Sequence, residues 1–167
     1  MLQFFKYERI ADGIRILGLK AELEDIVIPE GVVEIADLAF ASSDIETVHF
    51  PRSLLRIGSN AFSECAFLRR ISFPQRCRLR KIGNDAFWDT ILTDLELPSE
   101  LEKIGDRAFL GCEYLEEIKF PYGCGLSEIG SDAFLGCEAL SAIYVPSGVP
   151  ELIGIEEYRS LIVYGRK

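Results

Sequence analysis

The residue types best suited to catalysis or metal binding are few in this 167-residue chain, which has one histidine and five cysteines. His49 has no serine or cysteine at a spacing that would form a nucleophilic pair, and it falls at an outward position of a predicted strand. No two cysteines form a Cys-x-x-Cys motif, and a single histidine cannot complete a Cys/His zinc site. We therefore expect no catalytic centre, no metal and no cofactor.

Three cysteines recur at one position of an internal repeat, and one interpretation of this column is a metal or redox site: Cys65, Cys112 and Cys137. Each lies three residues before an inward leucine, and cysteine behaves as a small, readily buried apolar residue, so we favour buried thiols. Two other repeat units carry Ser42 and Asp89 instead of cysteine at this position, three residues before the inward residue. A disulfide between Cys112 and Cys137 of neighbouring units is conceivable.

A basic segment, RRISFPQRCRLRK, spans residues 69–81 and contains no acidic residue. One interpretation is an anion-binding site for a sulfated glycan or an acidic peptide. The other, which we favour, is a belt around one repeat unit, with Arg70 on one sheet and Lys81 on the opposite one. Its charges would then pair with acidic residues of the neighbouring units: Glu46, Asp94 and Glu102.

The overall composition excludes several classes of partner. The net charge of −9 disfavours binding to nucleic acid, which needs a basic surface. No apolar run approaches the roughly 20 residues of a membrane-spanning helix, so we expect no membrane insertion. The N-terminal residues lack a basic leader followed by about 7 to 15 apolar residues, so we expect no signal peptide.

Prolines divide the chain into repeat units: Pro29, Pro51, Pro74, Pro98, Pro121 and Pro146. Each ends a run of alternating apolar residues, such as TVHFP or EIKFP, which is typical of a β-strand. An apolar-x-x-Ile element follows each proline and predicts a second, short strand. An Ala-Phe pair then follows a capping residue and predicts a one-turn helix. Gly111 and Gly136, two residues after the Phe, suit the left-handed conformation that ends such a turn.

Longer and shorter repeat units occur in a fixed order. Two extra residues follow the proline in QRCRLRKIG and YGCGLSEIG, and as a result Phe40 and Phe87 are 47 residues apart, as are Pro74 and Pro121. This spacing indicates that a two-unit block was duplicated. One unit buries too few apolar side chains to fold alone, so we predict a solenoid in which each unit forms one coil.

The motifs L-x-x-I-x-[IF]-P, V-x-x-I-G and A-F-x-x-C-x-x-L, in register over residues 23–146, resemble the BspA-like leucine-rich repeats. The resemblance implies an α/β-type leucine-rich-repeat solenoid of about five to six coils, with parallel strands, short second strands and one-turn helices. Residues 1–22 look like an N-terminal hairpin cap turning at Asp12-Gly13. Residues 147–167 look like a C-terminal cap with a short helix and a strand. We expect a single domain over residues 1–167.

Binding is the function that this resemblance implies, because many members of the family are bacterial surface or secreted proteins that engage host matrix proteins or other cells. The expected partner is therefore a protein, and the expected location is the surface or the exterior of a cell. The candidate site is the outward positions of the first strand of each coil, which align in two columns. They are Asp25, Thr47, His49, Arg70, Ser72, Asp94, Glu96, Glu117, Lys119 and Tyr144. The alternative is an architectural spacer or an intracellular scaffold without a dedicated ligand face.

Three further apolar residues suggest contact surfaces. Trp88 stands where other coils have leucine, and either covers the edge of the core or is an exposed anchor. Val33 and Leu55, on the short strands, are predicted to be exposed.

Overall fold

The computed structural model describes residues 2–146 and 156–165. The chain forms a β-solenoid of about six turns, as the repeats predict. Two short 3-10 helices, Leu2–Phe4 and Glu156–Leu161, lie near its ends. The strands in chain order are β1 Phe5–Ile10, β2 Gly13–Leu19, β3 Asp25–Val27, β4 Val32–Ile35, β5 Thr47–His49, β6 Arg56–Ile57, β7 Arg70–Ser72, β8 Lys81–Ile82, β9 Asp94–Glu96, β10 Lys103–Ile104, β11 Glu117–Lys119, β12 Glu128–Ile129, β13 Ala142–Pro146 and β14 Ile162–Gly165.

Two sides of each coil are strands. The second, short strands join the N-terminal hairpin in a seven-stranded back sheet, in the order β1-β2-β4-β6-β8-β10-β12. All of its pairs are parallel except that of β1 with β2. The first strands of the coils form two separate front sheets, β3-β5-β7 and β9-β11-β13-β14. The outward side of these two sheets is called the front face below.

The third side of each coil carries the Ala-Phe pair, and it consists of turns where the sequence predicts a one-turn helix. The residue before each pair has positive φ, for example 61° at Leu38 and 52° at Arg107, which a right-handed helix does not allow. Gly111 and Gly136 have φ of 73° and 75°, which confirms the left-handed conformation predicted for them. The turns let backbone N–H groups reach the next coil, as in the 2.8 Å bond from Phe87 to the Ala108 carbonyl.

The residues predicted to cap these helices bond to the following coil instead. Asp37 accepts a 2.8 Å hydrogen bond from the N–H of Ser59, and Asp106 accepts one of 3.0 Å from the N–H of Ser131. Asn84 accepts in the same way from the N–H of Asp106. These capping residues therefore link each coil to the next, because each side-chain acceptor lies beside the backbone N–H of the equivalent residue one coil further on.

A ladder of phenylalanine rings runs through the core. Neighbouring rings stack with centroids 5.0 to 5.5 Å apart, and the ladder comprises Phe40, Phe62, Phe87, Phe109 and Phe134. The two ends are closed by rings that stand edge-on, Phe5 at one end and Tyr158 at the other. Each stacked pair adds about 0.5 to 1.5 kcal/mol beyond the burial of its surface, so the ladder favours a regular stack.

The two ends of the solenoid follow the predicted caps with one shift. The hairpin turns at Ala11 and Asp12, since Ile10 pairs with Gly13, rather than at Asp12-Gly13. At the other end a 3-10 helix leads into β14, which pairs in parallel with β13. Residues 147–155, the start of the predicted C-terminal cap, lie outside the described residues.

Two sequence-based assignments were wrong in detail. Val33 is buried, because the hairpin turn lies against it, whereas Leu55 is half-buried. The cysteine column continues through Ser43 and Thr90 rather than Ser42 and Asp89. The Ser43 hydroxyl lies 3.4 Å from the Cys65 sulfur, and coils lacking the cysteine have one residue fewer between this column and the next inward position.

Candidate binding surface

The front face carries the predicted site residues in aligned columns. Backbone pairing sets Asp25 beside Thr47 and Thr47 beside Arg70, with Val27, His49 and Ser72 alongside in a second column. In the other front sheet the columns are Asp94-Glu117-Ala142 and Glu96-Lys119-Tyr144. All ten predicted residues are exposed or half-buried, whereas Ala142 is buried. The predicted alignment is therefore correct within each sheet.

Several side chains of the face are already engaged with one another. The Nδ1 atom of His49 lies 2.7 Å from the Ser72 hydroxyl, and the Thr47 hydroxyl donates to Asp25. Lys119 forms a 2.8 Å ion pair with Glu117. The side-chain hydrogen bond to Glu117 raises the pKa of Lys119.

Lys119 also lies over an aromatic ring. Its Nζ atom is 5.9 Å from the centre of the Tyr144 ring, whose hydroxyl donates a long hydrogen bond of 3.4 Å to Glu117. A cation over an aromatic face is attracted by about 0.5 to 1 kcal/mol at exposed sites. The C-terminal end of the face is thus a preformed group of three side chains.

The two front sheets are separated at one step, between β7 and β9. Elsewhere on this side the N–H after each strand donates to the next coil, as Phe50 does to the Ser72 carbonyl and Leu97 to the Lys119 carbonyl, both at 3.0 Å. No such bond joins Phe73 and Glu96, although both lie in the described part of the chain. The sequence predicted one continuous face, and the structure divides it.

The break coincides with one step in the order of long and short coils. The coil of β5 has a short loop and the coil of β7 a long one after its proline, and the coils of β9 and β11 repeat that order. Strands pair at each short-to-long step, β5 to β7 and β9 to β11. The break falls at the long-to-short step, which is the junction between the two 47-residue blocks.

A cleft opens at this junction. It has a volume of about 400 Å³ and lies between the long loops that follow Pro74 and Pro121, above the short loop at Pro98 and Ser99. Its apolar lining includes Ile71, Phe73 and Leu97. We call it the junction cleft. It opens beside Ser72 and Glu96, and therefore beside the front-face columns.

The junction cleft contains residues that the sequence analysis did not select. Phe73 packs against the core but is only half-buried, and it stacks on Phe50 with centroids 4.9 Å apart. Tyr122 on the rim is 79% exposed. The signal for both was the pair of two-residue insertions after Pro74 and Pro121, which alternate with shorter loops.

Charges face one another across the cleft without forming ion pairs. Arg76 lines one side of the cleft and Glu96 on β9 lines the other, with Arg70 and Asp94 on the adjoining strands β7 and β9. Within residues 2–146 and 156–165, none of these four side chains is within ion-pair distance of an opposite charge. No ion pair therefore joins the two front sheets within the described residues.

The rest of the basic segment forms a belt. Arg69 pairs with Glu46 of the preceding coil and Arg80 with Glu102 of the following coil. These two contacts agree with the cross-coil pairing that we favoured from the sequence. Asp94, the third acidic residue expected to pair with this segment, forms no ion pair within the described residues.

The cysteines are buried and free: Cys65, Cys77, Cys112, Cys124 and Cys137. Burial raises the pKa of Cys65, Cys77 and Cys124, and the neighbouring Cys112 side chain together with burial raises that of Cys137. The thiol of Cys65 donates to the Phe40 carbonyl of the preceding coil at 3.1 Å. These features describe packed, buried thiols, as we favoured from the sequence.

No group of three or more His, Cys, Asp or Glu side chains in the described ranges is placed to hold a metal ion. Over the same residues, no helix has the length and apolar character needed to span a bilayer.

Sequence comparison places the chain among known repeats. A family model for the BspA-type leucine-rich repeat region matches residues 19–86 and 80–158, with six copies. No curated protein matches the chain by sequence.

Solved structures share the fold. A leucine-rich repeat protein of T. pallidum is 30% identical with a TM-score of 0.80, over 92% of this chain and 80% of that one. The pneumococcal vaccine antigen PcpA is 20% identical with a TM-score of 0.67, over 89% of this chain and 46% of that one. A leucine-rich cell surface protein of Faecalibacterium prausnitzii is 22% identical with a TM-score of 0.52, over 84% and 52%. The chain thus spans about half the length of the last two.

Proposed function

Since the chain belongs to the BspA-type leucine-rich repeat family, whose fold is one of interaction and recognition, we propose that it is a non-catalytic module that binds a protein partner through its front face. Its role would be adhesion or recognition, with a host matrix or cell-surface protein as the partner and a location at or outside the cell surface. These finer points follow from the family resemblance stated above.

The observation that carries the proposal is the set of columns on the front face. Strand pairing fixes the spacing of their side chains, so a partner meets a rigid array and little ordering is needed on binding. The array also contains charges that form no ion pair within the described residues, namely Arg70, Asp94 and Glu96. Unpaired charges at a surface steer and orient a complementary partner.

A binding screen with a paired charge reversal tests the proposal. Purified matrix proteins, cell-surface proteins and sulfated glycans would be applied to the immobilised chain at low and high salt. The variant Arg70→Glu with Glu96→Lys keeps the net charge but reverses the sign of two charges on the front face. The control, Arg78→Glu with Glu113→Lys, makes the same exchange at exposed positions on other sides of the coils. Melting curves would verify that both variants are folded.

Binding to a protein that the front-face variant loses and the control keeps would support the proposal. Binding that survives in the front-face variant would move the site to another side of the solenoid. The absence of any ligand in the screen would favour the architectural spacer or the intracellular scaffold over the adhesion role.

A further inference from the structure

We propose that the junction cleft binds an extended segment of the partner protein that carries one large apolar side chain between an acidic and a basic residue. This inference rests on the proposed function and specifies which part of the front face holds the partner and by what chemistry.

The floor and the volume of the cleft suit one large apolar side chain. The half-buried Phe73 supplies apolar surface beside the almost fully buried Ile71 and Leu97, and Tyr122 extends an exposed ring over the rim. The volume of about 400 Å³ lies within the range of about 300 to 1,000 Å³ that is usual for binding pockets. A buried aromatic or aliphatic anchor in such a pocket supplies much of the affinity of a protein interface.

The backbone around the cleft suits an extended segment. Between β7 and β9 the ladder of the front sheets is interrupted. The Phe73 N–H and the Glu96 carbonyl belong to residues that line the cleft, and they do not bond to each other, unlike their equivalents in the neighbouring coils. Backbone groups require hydrogen-bond partners, and an extended peptide lying in the cleft can supply them to these two residues.

The charges around the cleft select the flanking residues of that segment. Arg76 in the lining, with Arg70 nearby on β7, favours a carboxylate, and Glu96 in the lining, with Asp94 nearby on β9, favours a cation. A sulfated glycan would be attracted to the arginines but repelled by the two carboxylates. The pattern of charges therefore favours a peptide with one acidic and one basic flank over a polyanion.

A displayed library of random short peptides, selected on the immobilised full chain, tests the inference. The variant Ser99→Trp places a large side chain in the cleft, since Ser99 lines its floor, and Glu100→Trp places the same side chain at the adjacent exposed position outside the lining. We expect enriched peptides to share an acidic, apolar, basic order. Their affinity should fall by about 30-fold or more in Ser99→Trp, the effect of losing an interface hot spot, and stay unchanged in Glu100→Trp.

A second variant keeps the test decisive if Ser99→Trp does not fold. Tyr122→Ala removes an exposed rim side chain, so it should weaken the same peptides without lowering the melting temperature. Failure to enrich any peptide, enriched peptides without an apolar anchor, or equal binding to Ser99→Trp would each overturn the inference. The inference would also be overturned if a sulfated glycan bound the wild type but not Ser99→Trp, and no peptide showed the same difference.

The failure of the inference can be told from the failure of the proposed function. A protein ligand lost in a variant carrying His49→Asp and Lys119→Glu, but bound normally by Ser99→Trp, would leave the front face as the site and remove the cleft from it. A protein ligand that binds all of these variants normally would contradict both.

Discussion

The hydroxyl of Tyr158 accepts a hydrogen bond of 3.1 Å from the backbone N–H of Phe134. In the preceding coils the same N–H donates to the alanine carbonyl of the next coil, as from Phe109 to Ala133. Tyr158 therefore supplies, from the C-terminal 3-10 helix, the acceptor that a further coil would have supplied. Its ring also stands edge-on to Phe134 with centroids 5.5 Å apart, so one side chain closes both the hydrogen-bond ladder and the aromatic ladder.

Replacement of Tyr158 by Phe should destabilise the protein by about 1 to 3 kcal/mol, because a buried N–H would lose its acceptor while the ring contact is kept. Urea unfolding followed by circular dichroism would measure the change. Tyr164→Phe is the matched control, since Tyr164 is 68% exposed. Equal stability of the two variants would show that water or another group replaces the Tyr158 hydroxyl.

The glycine that follows the isoleucine of β6, β8, β10 and β12 should not tolerate alanine. A Cβ atom on Gly105 would lie 2.5 Å from the Asn84 side-chain oxygen and 2.6 Å from the Asn84 nitrogen. We expect Gly105→Ala to cost about 1 to 3 kcal/mol, the usual penalty for forcing atoms into a packed interior. Gly125→Ala is the control, because its nearest neighbour would be 3.7 Å away. Thermal melting of both variants would check the prediction, and equal melting temperatures would contradict it.

The thiols should be unreactive in the folded protein and should weaken the fold at alkaline pH. Because the pKa of Cys65, Cys77 and Cys124 is raised by burial, the unfolded chain loses these protons first as the pH rises. The free energy of unfolding should therefore fall as the pH rises above about 8.5, the ordinary thiol pKa. Urea unfolding at neutral and alkaline pH would measure the decrease. A thiol reagent that modified the native chain as fast as the unfolded chain would refute the burial of these groups.

Acid should remove the stabilising contact of Glu30. Its carboxylate accepts hydrogen bonds from the N–H of Arg52 at 3.0 Å and of Ser53 at 3.3 Å, and the first of these is the main cause of its lowered pKa. A lowered pKa adds stability above the ordinary glutamate value of about 4.3, and this stability is lost as the pH falls through the lowered pKa.

Glu30→Gln should accordingly be less stable than the wild type at neutral pH and equal to it in acid. Melting temperatures of both proteins from pH 7 down to about pH 3 would trace the difference. Glu100→Gln, at an exposed position, should differ little from the wild type throughout. A constant difference between Glu30→Gln and the wild type at every pH would exclude the ionised carboxylate as its source.

The coil pattern was predictable because it depends on local periodicity. Ile118 and Phe120 alternate with outward residues, and both are buried as expected. The turns were not predictable in the same way. A capping residue before Ala-Phe, such as Asp106, has the same sequence context whether it caps a helix or accepts from Ser131 one coil away, and only the stacked structure decides between them.

The junction cleft depends on two coils at once, which explains why the sequence only hinted at it. The insertions after Pro74 and Pro121 are visible in the sequence, but a short-to-long step and a long-to-short step contain the same loops in opposite order. Which step separates the strands depends on how β7 and β9 are offset after stacking. Val33 illustrates the same difficulty, since its burial comes from the hairpin and not from its own coil.

The short-to-long order within each block has a consequence for longer versions of this solenoid. Insertion of another copy of the 47-residue block would add one more long-to-short step and, with it, one more cleft on the same face. The number of equivalent pockets would then rise by one with each block. Such a chain would be multivalent, and a partner with repeated segments would bind it with an avidity set by the number of blocks rather than by any single contact.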